Sequence, residues 1–235
     1  MTTSKHPLFG VLPDEPVPGD ERVRELLRKH PVHVDQSSPS KMFHVLMELD
    51  RTIRDDVPGH IVELGCFEGG TTLMMRRLLD KLDQKHRELH VYDSWEGVPV
   101  PVVQDKPVPG VAPFEKGFCM TRREVFDRNF KNADLRPPHV HTGWFAAIPD
   151  VEYPAQIAFA FFDGDMYSSI IDSFNKVYAK LSKGARVVID DYDWERTPGV
   201  KQACADFLRD KPEREILISN YYGPGIGGGA LMIKQ

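Results

Sequence analysis

The chain has 235 residues, 41% of them apolar and 28% charged, with a formal net charge of −5. That balance is ordinary for a globular protein in water and leaves no broad basic surface for nucleic acid or an anionic membrane. Cys66, Cys119 and Cys204 stand far apart with no Cys-x-x-Cys, which argues against a disulfide framework or a thiolate zinc site and points to a cytoplasmic setting.

Neither a signal-peptide core nor a membrane-length apolar run is found. Residues 1–19 are rich in Pro and polar residues and read as a surface arm. A short helix is predicted from Asp20 to His30 and a second one after the loop Pro31–Pro39. In the second, Ser40 is a candidate cap and Met42, Leu46, Leu49 and Ile53 form an apolar stripe. His60–Leu64 is a buried strand that runs into Gly65-Cys66-Phe67-Glu68-Gly69-Gly70 and a helix from about Thr71 to Leu82. A glycine-bearing turn between a first strand and a helix suits close approach of a ligand to backbone. The pattern is not G-x-G-x-x-G, and Glu63 at the strand end would repel a pyrophosphate but could accept from an amino group. The strand Glu88–Tyr92 ends in Asp93, placed to take the two ribose hydroxyls of a nucleoside.

Residues from about 96 to 119 carry five prolines and three glycines without periodicity, and we read them as a lid, with Glu115 and Lys116 as reaching groups. Thr121 to Glu124 is a capping box for a helix through Phe126 and Phe130. In the strand His139–Thr142, His139 and His141 share one face. No further His or Cys clusters with them in sequence, so they read as ordinary strand positions, with His141 kept as a candidate catalytic base.

Two apolar runs then end in acids: Ile157–Phe162 in Asp163 and Asp165, and Ala185–Ile189 in Asp190 and Asp191. A helical pattern between them (Ile170, Ile171, Phe174, Val177, Tyr178, Leu181) makes a βαβ unit, so both strands are parallel and their acid tips converge. Carboxylates brought together there repel one another unless a cation, protons or distance relieves them, and Asp163, Asp190 and Asp191 suit a hard divalent cation. A helix with Val200, Ala203, Cys204, Phe207 and Leu208 on one face follows. The strands Glu215–Ser219 and Ala230–Lys234 are joined by the glycine-rich connection Tyr221–Gly229. The expected fold is α/β, a doubly wound, mostly parallel sheet of seven strands with an antiparallel C-terminal hairpin. Residues 1–56 form an N-terminal helical extension and residues 57–235 the main domain.

Ile61-Val-Glu-Leu-Gly-Cys-Phe-Glu-Gly-Gly, Val91-Tyr-Asp-Ser-Trp-Glu-Gly-Val-Pro99, Gly143-Trp-Phe, Phe162-Asp-Gly-Asp-Met-Tyr167 and Val188-Ile-Asp-Asp-Tyr192 resemble successive motifs of the macrocin O-methyltransferase family. This family includes the mycinamicin and novobiocin sugar O-methyltransferases. The resemblance implies a Rossmann-like class I methyltransferase fold and Mg²⁺-dependent methyl transfer from S-adenosylmethionine to a hydroxyl of a small molecule, a sugar of a glycosylated natural product. It implies that Glu63, Gly65, Cys66, Phe67, Gly69, Thr71, Asp93, Ser94, Gly143, Trp144 and Asp163 contact S-adenosylmethionine. The metal ligands would be Asp163, Asp190 and Asp191, and the catalytic candidates Asp163, Asp165 and His141, with Asp165 in a supporting position. Ser168 departs from the Glu that often follows the Tyr. The rival readings are a catechol-type acceptor, a nicotinamide-dependent oxidoreductase and a non-catalytic binding module. The arm and lid are also compatible with a homo-oligomer.

Overall fold

The computed structural model describes residues 19–30, 37–219 and 228–235. The sequence expectations for the arm (1–18), for most of the first loop (31–36) and for the glycine-rich connection (220–227) lie outside the described residues.

The helices are α1 (Glu21–Lys29), α2 (Pro39–Arg54), α3 (Gly70–Lys81), α4 (Arg123–Ala133), α5 (Tyr167–Val177) and α6 (Pro198–Leu208). The strands are β1 (His60–Leu64), β2 (Leu89–Asp93), β3 (His139–Thr142), β4 (Ile157–Phe162), β5 (Leu181–Ile189), β6 (Ile216–Ser219) and β7 (Gly229–Ile233). They form one seven-stranded sheet in the order β3-β2-β1-β4-β5-β7-β6. Strands β1 to β5 are mutually parallel, and β7 runs antiparallel to both β5 and β6. The expected doubly wound sheet with an antiparallel C-terminal pair is therefore present.

Strand β4 shows why the sheet needs two covers. Phe159 and Phe161 bury against α1, α2 and α3, while Ala160 and Phe162 bury against α5 and α6. A strand buried on both faces has no polar alternation to spare, which is why it reads as IAFAFF. The α2 stripe behaves as expected, with Met42, Leu46 and Leu49 buried on the sheet and Ile53 packed beside them.

Two caps differ from the sequence reading. Helix α2 is capped two residues earlier than expected: Ser38 is the cap, its Oγ accepting from Lys41 N–H at 3.0 Å, with Pro39 at the first helical position. Pro39 fixes φ for the helix before Ser40 is reached, so Ser40 is already inside it. Helix α4 has no side-chain cap, and Thr121 instead donates to Glu68 Oε1 at 3.3 Å. Among the described residues no helix is long and apolar enough to cross a membrane.

Candidate functional site

The parallel strands end in step. Beyond their last paired residues, Gly143 N–H donates to Asp93 O, Gly65 N–H to Tyr92 O, Asp163 N–H to Leu64 O and Asp190 N–H to Phe162 O, each at 2.9 Å. This staggered ladder sets the glycine turn of β1 directly beside the acid tips of β4 and β5. Gly65 has φ +89°, and a Cβ there would overlap the Asp163 carbonyl oxygen and lie 2.8 Å from its carbon. Glycine is required for that approach. Phe67, Asp165 and Asp191 also hold positive φ (46°, 59° and 52°), so the site stores backbone strain that the surrounding fold enforces.

These tips open into a cavity of about 1270 Å³. Of the sequence-predicted residues, Glu63, Gly65, Cys66, Phe67, Thr71, Asp93, Ser94, Gly143, Trp144, Asp163, Asp165, Asp190 and Asp191 line it. Two do not. Gly69 turns away, its missing Cβ making room for the Phe126 ring, and Gly70 lines the cavity in its place. His141 is outside the cavity, its ring stacked on Tyr92 and its Nδ1 on Glu152 at 2.8 Å.

Asp93 has a different job from the one its position suggests. Its Oδ2 accepts from the backbone N–H groups of Cys66 and Phe67, both at 2.9 Å, and its Oδ1 from Trp95 N–H at 2.8 Å. The carboxylate thus fixes the glycine turn. By lone-pair count it retains room for about one further donor rather than two hydroxyls. Glu63 is buried and accepts from Thr72 Oγ1 at 2.5 Å; burial pushes its carboxyl up to about 8.

The acids divide into two groups. Ligand oxygens of Asp163, Asp165 and Asp191 lie within 4.8 Å of one another. Asp190, which the sequence reading put in the ligand set, turns instead to the ammonium of Lys41, which also contacts Asp163 Oδ2 at 3.2 Å. Asp190 Oδ1 is buried with no hydrogen-bond partner among the described residues. Burial holds Asp190 and Asp191 well above the usual carboxylate range and raises Asp165 to about 7, while Lys41 opposes the shift in all three. Beyond burial, the neighbouring Asp165 carboxylate pushes Asp191 further up.

Sequence reasoning missed Lys41 and the residues through which the expected lid segment forms the outer wall. Lys41 lies in a buried row of α2 with Val45, Glu48 and Thr52, which a polar–apolar pattern assigns to solvent. The wall comes from the proline-rich segment, but through Phe114, Phe118 and Cys119 rather than Glu115 and Lys116, which do not line the site. The Arg196 guanidinium stands 4.2 Å from the Phe114 ring centre, and Trp194 meets the same ring edge-on. Asp105 pins the segment: it accepts from Tyr167 N–H at 2.7 Å and Val102 N–H at 2.9 Å.

Residues 28–218 match the family model described as macrocin O-methyltransferase (TylF). The chain is 33% identical over 153 residues to the demethyldecarbamoylnovobiocin O-methyltransferase of Streptomyces niveus, covering 61% of this chain and 56% of that one. It is 29% identical over 166 residues to the 8-demethyl-8-(2,3-dimethoxy-alpha-L-rhamnosyl)-tetracenomycin-C 4'-O-methyltransferase of Streptomyces olivaceus, covering 69% of this chain and 61% of that one. The chain thus matches less than two thirds of the length of these relatives. Among solved structures it resembles the O-methyltransferase NovP, with a TM-score of 0.68, 26% identity, and coverage of 84% of this chain and 81% of that one. With its motifs, strand order and matched span in agreement, this chain belongs to the macrocin O-methyltransferase family.

Proposed function

We propose that the protein transfers a methyl group from S-adenosylmethionine to a hydroxyl of a small molecule, a sugar of a glycosylated natural product, with a divalent cation such as Mg²⁺ in the acid crevice. One observation carries this reading: a nucleoside-sized glycine turn and a carboxylate cluster open into the same cavity. The rhamnosyl 4'-O-methyltransferase among the relatives supports the sugar.

The acid cluster fits a hard cation. It offers only oxygen donors, and Asp163, Asp165 and Asp191 each bring one to within 4.8 Å of the others. Asp163, Asp165 and Asp191 would hold the ion, with Asp190 adjoining through Lys41. S-adenosylmethionine supplies an electrophilic methyl group, and the cation lowers the pKa of the acceptor hydroxyl.

The chain's own residues supply position. Gly65 lets the β1 turn abut the Asp163 backbone, and Asp93 holds the turn while offering one acceptor to a ribose hydroxyl. Glu63, at the floor of the cavity, is placed for an amino group. In-line transfer of the methyl group from the sulfonium to the hydroxyl oxygen rewards such alignment, and proximity is worth about 7–11 kcal/mol. Asp165 is the candidate to take the hydroxyl proton at a carboxylate oxygen, because Lys41 already pairs Asp163. The segment from about 96 to 119, pinned by Asp105, would exclude water and present Phe114 and Phe118 to the acceptor. The three free cysteines fit a cytoplasmic setting.

The test is methylation of a panel of glycosides and catechols with S-adenosylmethionine, read by mass spectrometry, with chelator and then restored Mg²⁺. The expected result is glycoside methylation that chelator abolishes and that Asp163→Asn reduces at least about a hundredfold, in line with loss of a positioned charged group. Rates unchanged by chelator and by Asp163→Asn would refute the cation. Absence of S-adenosylmethionine binding would refute the whole reading.

A further inference from the structure

A second cluster of titratable groups sits at the opposite end of the strands. His90 is the second residue of β2, pairs in register with His139 of β3, and follows Glu88 by two positions. Glu88 Oε2 lies 3.3 Å from His90 Nε2, and Glu88 Oε1 lies 3.7 Å from His139 Nε2. Ligand atoms of Glu88, His90 and His139 are all within 4.8 Å of one another. On its other side His90 Nδ1 meets His141 Nε2 at 3.1 Å, and His141 Nδ1 meets Glu152 Oε2 at 2.8 Å. Asp93 lies three residue steps along the strand from His90, a rise of about 10 Å, so this cluster is distinct from the cavity.

Counting protons shows what the cluster lacks. The run Glu88–His90–His141–Glu152 contains three polar contacts and ends in a carboxylate at each side. Each hydrogen bond needs one N–H, yet two neutral imidazoles carry only two, and a carboxylate brings none. A cation on the Glu88–His90 contact removes the deficit. His90 Nε2 then gives its lone pair to the ion, His90 Nδ1–H donates to His141 Nε2, and His141 Nδ1–H donates to Glu152. This is the arrangement that metal-bound histidines adopt, their second nitrogen donating into a chain that ends on a carboxylate.

The geometry favours the same answer. Bonds of about 2.0–2.1 Å at tetrahedral angles set donor atoms about 3.3–3.4 Å apart, which is the separation of Glu88 Oε2 from His90 Nε2. The rings are held in place by their neighbours: His90 packs beside His139 (4.6 Å) and lies nearly coplanar with His141 along their hydrogen bond (8°), while His141 stacks on Tyr92 (4.6 Å) and Tyr92 on Tyr153 (4.2 Å). His60 is not part of the donor set, because its Nδ1 accepts from Glu88 N–H at 3.0 Å. His139 and Glu88 are exposed, so an ion reaches the site from solvent.

We propose that Glu88, His90 and His139 form a binding site for a zinc-class divalent cation, oriented by the His141–Glu152 relay and clamping the start of β2 to the sheet edge at β3. Two imidazoles and one carboxylate suit zinc or cobalt, in contrast to the all-oxygen crevice. The full-length protein, freed of metal with chelator, is titrated with ZnCl₂ by calorimetry in excess Mg²⁺ so that the acid crevice is covered. Wild type is expected to bind one equivalent of zinc. His139→Ala and Glu88→Gln are each expected to weaken it at least about tenfold, the cost of losing even an outer partner of a metal site. Cobalt(II) should develop visible absorption in wild type and not in His139→Ala. Both side chains are exposed, so metal-free circular dichroism of the variants should match wild type. No zinc uptake by wild type, or uptake indifferent to both substitutions, would overturn the proposal and leave the histidines held by an added proton.

Discussion

Lys41→Met tests whether the acid crevice carries its own counter-charge. The substitution keeps an unbranched apolar stem and removes only the ammonium. In the structure that ammonium is 4% exposed as part of its residue, contacts Asp190 and lies 3.2 Å from Asp163 Oδ2. At an effective dielectric constant of about 20, one unit pair at that separation attracts by about 5 kcal/mol before desolvation is subtracted. Removing one partner of a buried pair costs about 3–5 kcal/mol, because the other charge is left uncompensated. Here the acids can escape by taking up protons, so the cost should be smaller at pH 6 than at pH 8.

The cation supplies the discriminating measurement. If the ammonium stands where positive charge is needed, Mg²⁺ should replace its effect. Urea unfolding of Lys41→Met without metal is expected to show a loss of about 3 kcal/mol at pH 8. Saturating Mg²⁺ should restore more than half of it. Calorimetry should show tighter Mg²⁺ binding than in wild type, since no ammonium competes for Asp163. An equal loss with and without Mg²⁺, together with unchanged Mg²⁺ affinity, would refute the reasoning and make Lys41 a strut between α2 and the sheet.

Two further outcomes follow from the same geometry. Burial raises Glu63 to about 8 and Asp165 to about 7, so the unfolded chain releases these protons at lower pH than the native one does. The stability they contribute is therefore lost as pH rises. His44 and His90, lowered to about 4 by burial, act oppositely but only below the ordinary histidine value of 6.5. Metal-free stability should thus fall between about pH 6.5 and 8, and Mg²⁺ should flatten the fall; a rise across that window, read by urea unfolding, would contradict the buried-acid picture. Gly65→Ala should cost about 2–5 kcal/mol, combining a left-handed φ with overlap on the Asp163 backbone, and should weaken S-adenosylmethionine binding in calorimetry. A stability within about 0.5 kcal/mol of wild type would show that the two tips do not abut.

The fold was legible because burial leaves a periodic record. IAFAFF must be covered on both faces, and the α2 stripe must meet a sheet, so the order and type of elements could be read locally. The caps were not: Ser38 and Ser40 are chemically equivalent, and Pro39 decides between them through backbone geometry. The site was legible in its residue types and less so in its partnerships. Acids after apolar strands announce a crevice, but nothing local says that Lys41, more than a hundred positions earlier in the chain, points its ammonium at Asp163. Likewise His90 carries no sequence link to His139. Register pairing between β2 and β3 brings them together, and that is why two histidines on one strand read as ordinary strand positions.

The placement of Asp93 changes how the two halves of the cavity are coupled. If its carboxylate served only ribose, the nucleoside and acid regions would merely be neighbours. Instead it holds Cys66 and Phe67 in the turn that begins at Gly65, and Gly65 abuts the Asp163 backbone. A shift in that turn therefore moves the tip from which Asp163 and Asp165 project. Asp93→Ala would remove three accepted N–H bonds from the turn, so it should displace the acid cluster as well as the turn itself. A loss of Mg²⁺ affinity alongside S-adenosylmethionine affinity is the expected signature. Loss of S-adenosylmethionine binding alone, with Mg²⁺ affinity intact, would mean that the turn and the crevice are mechanically independent.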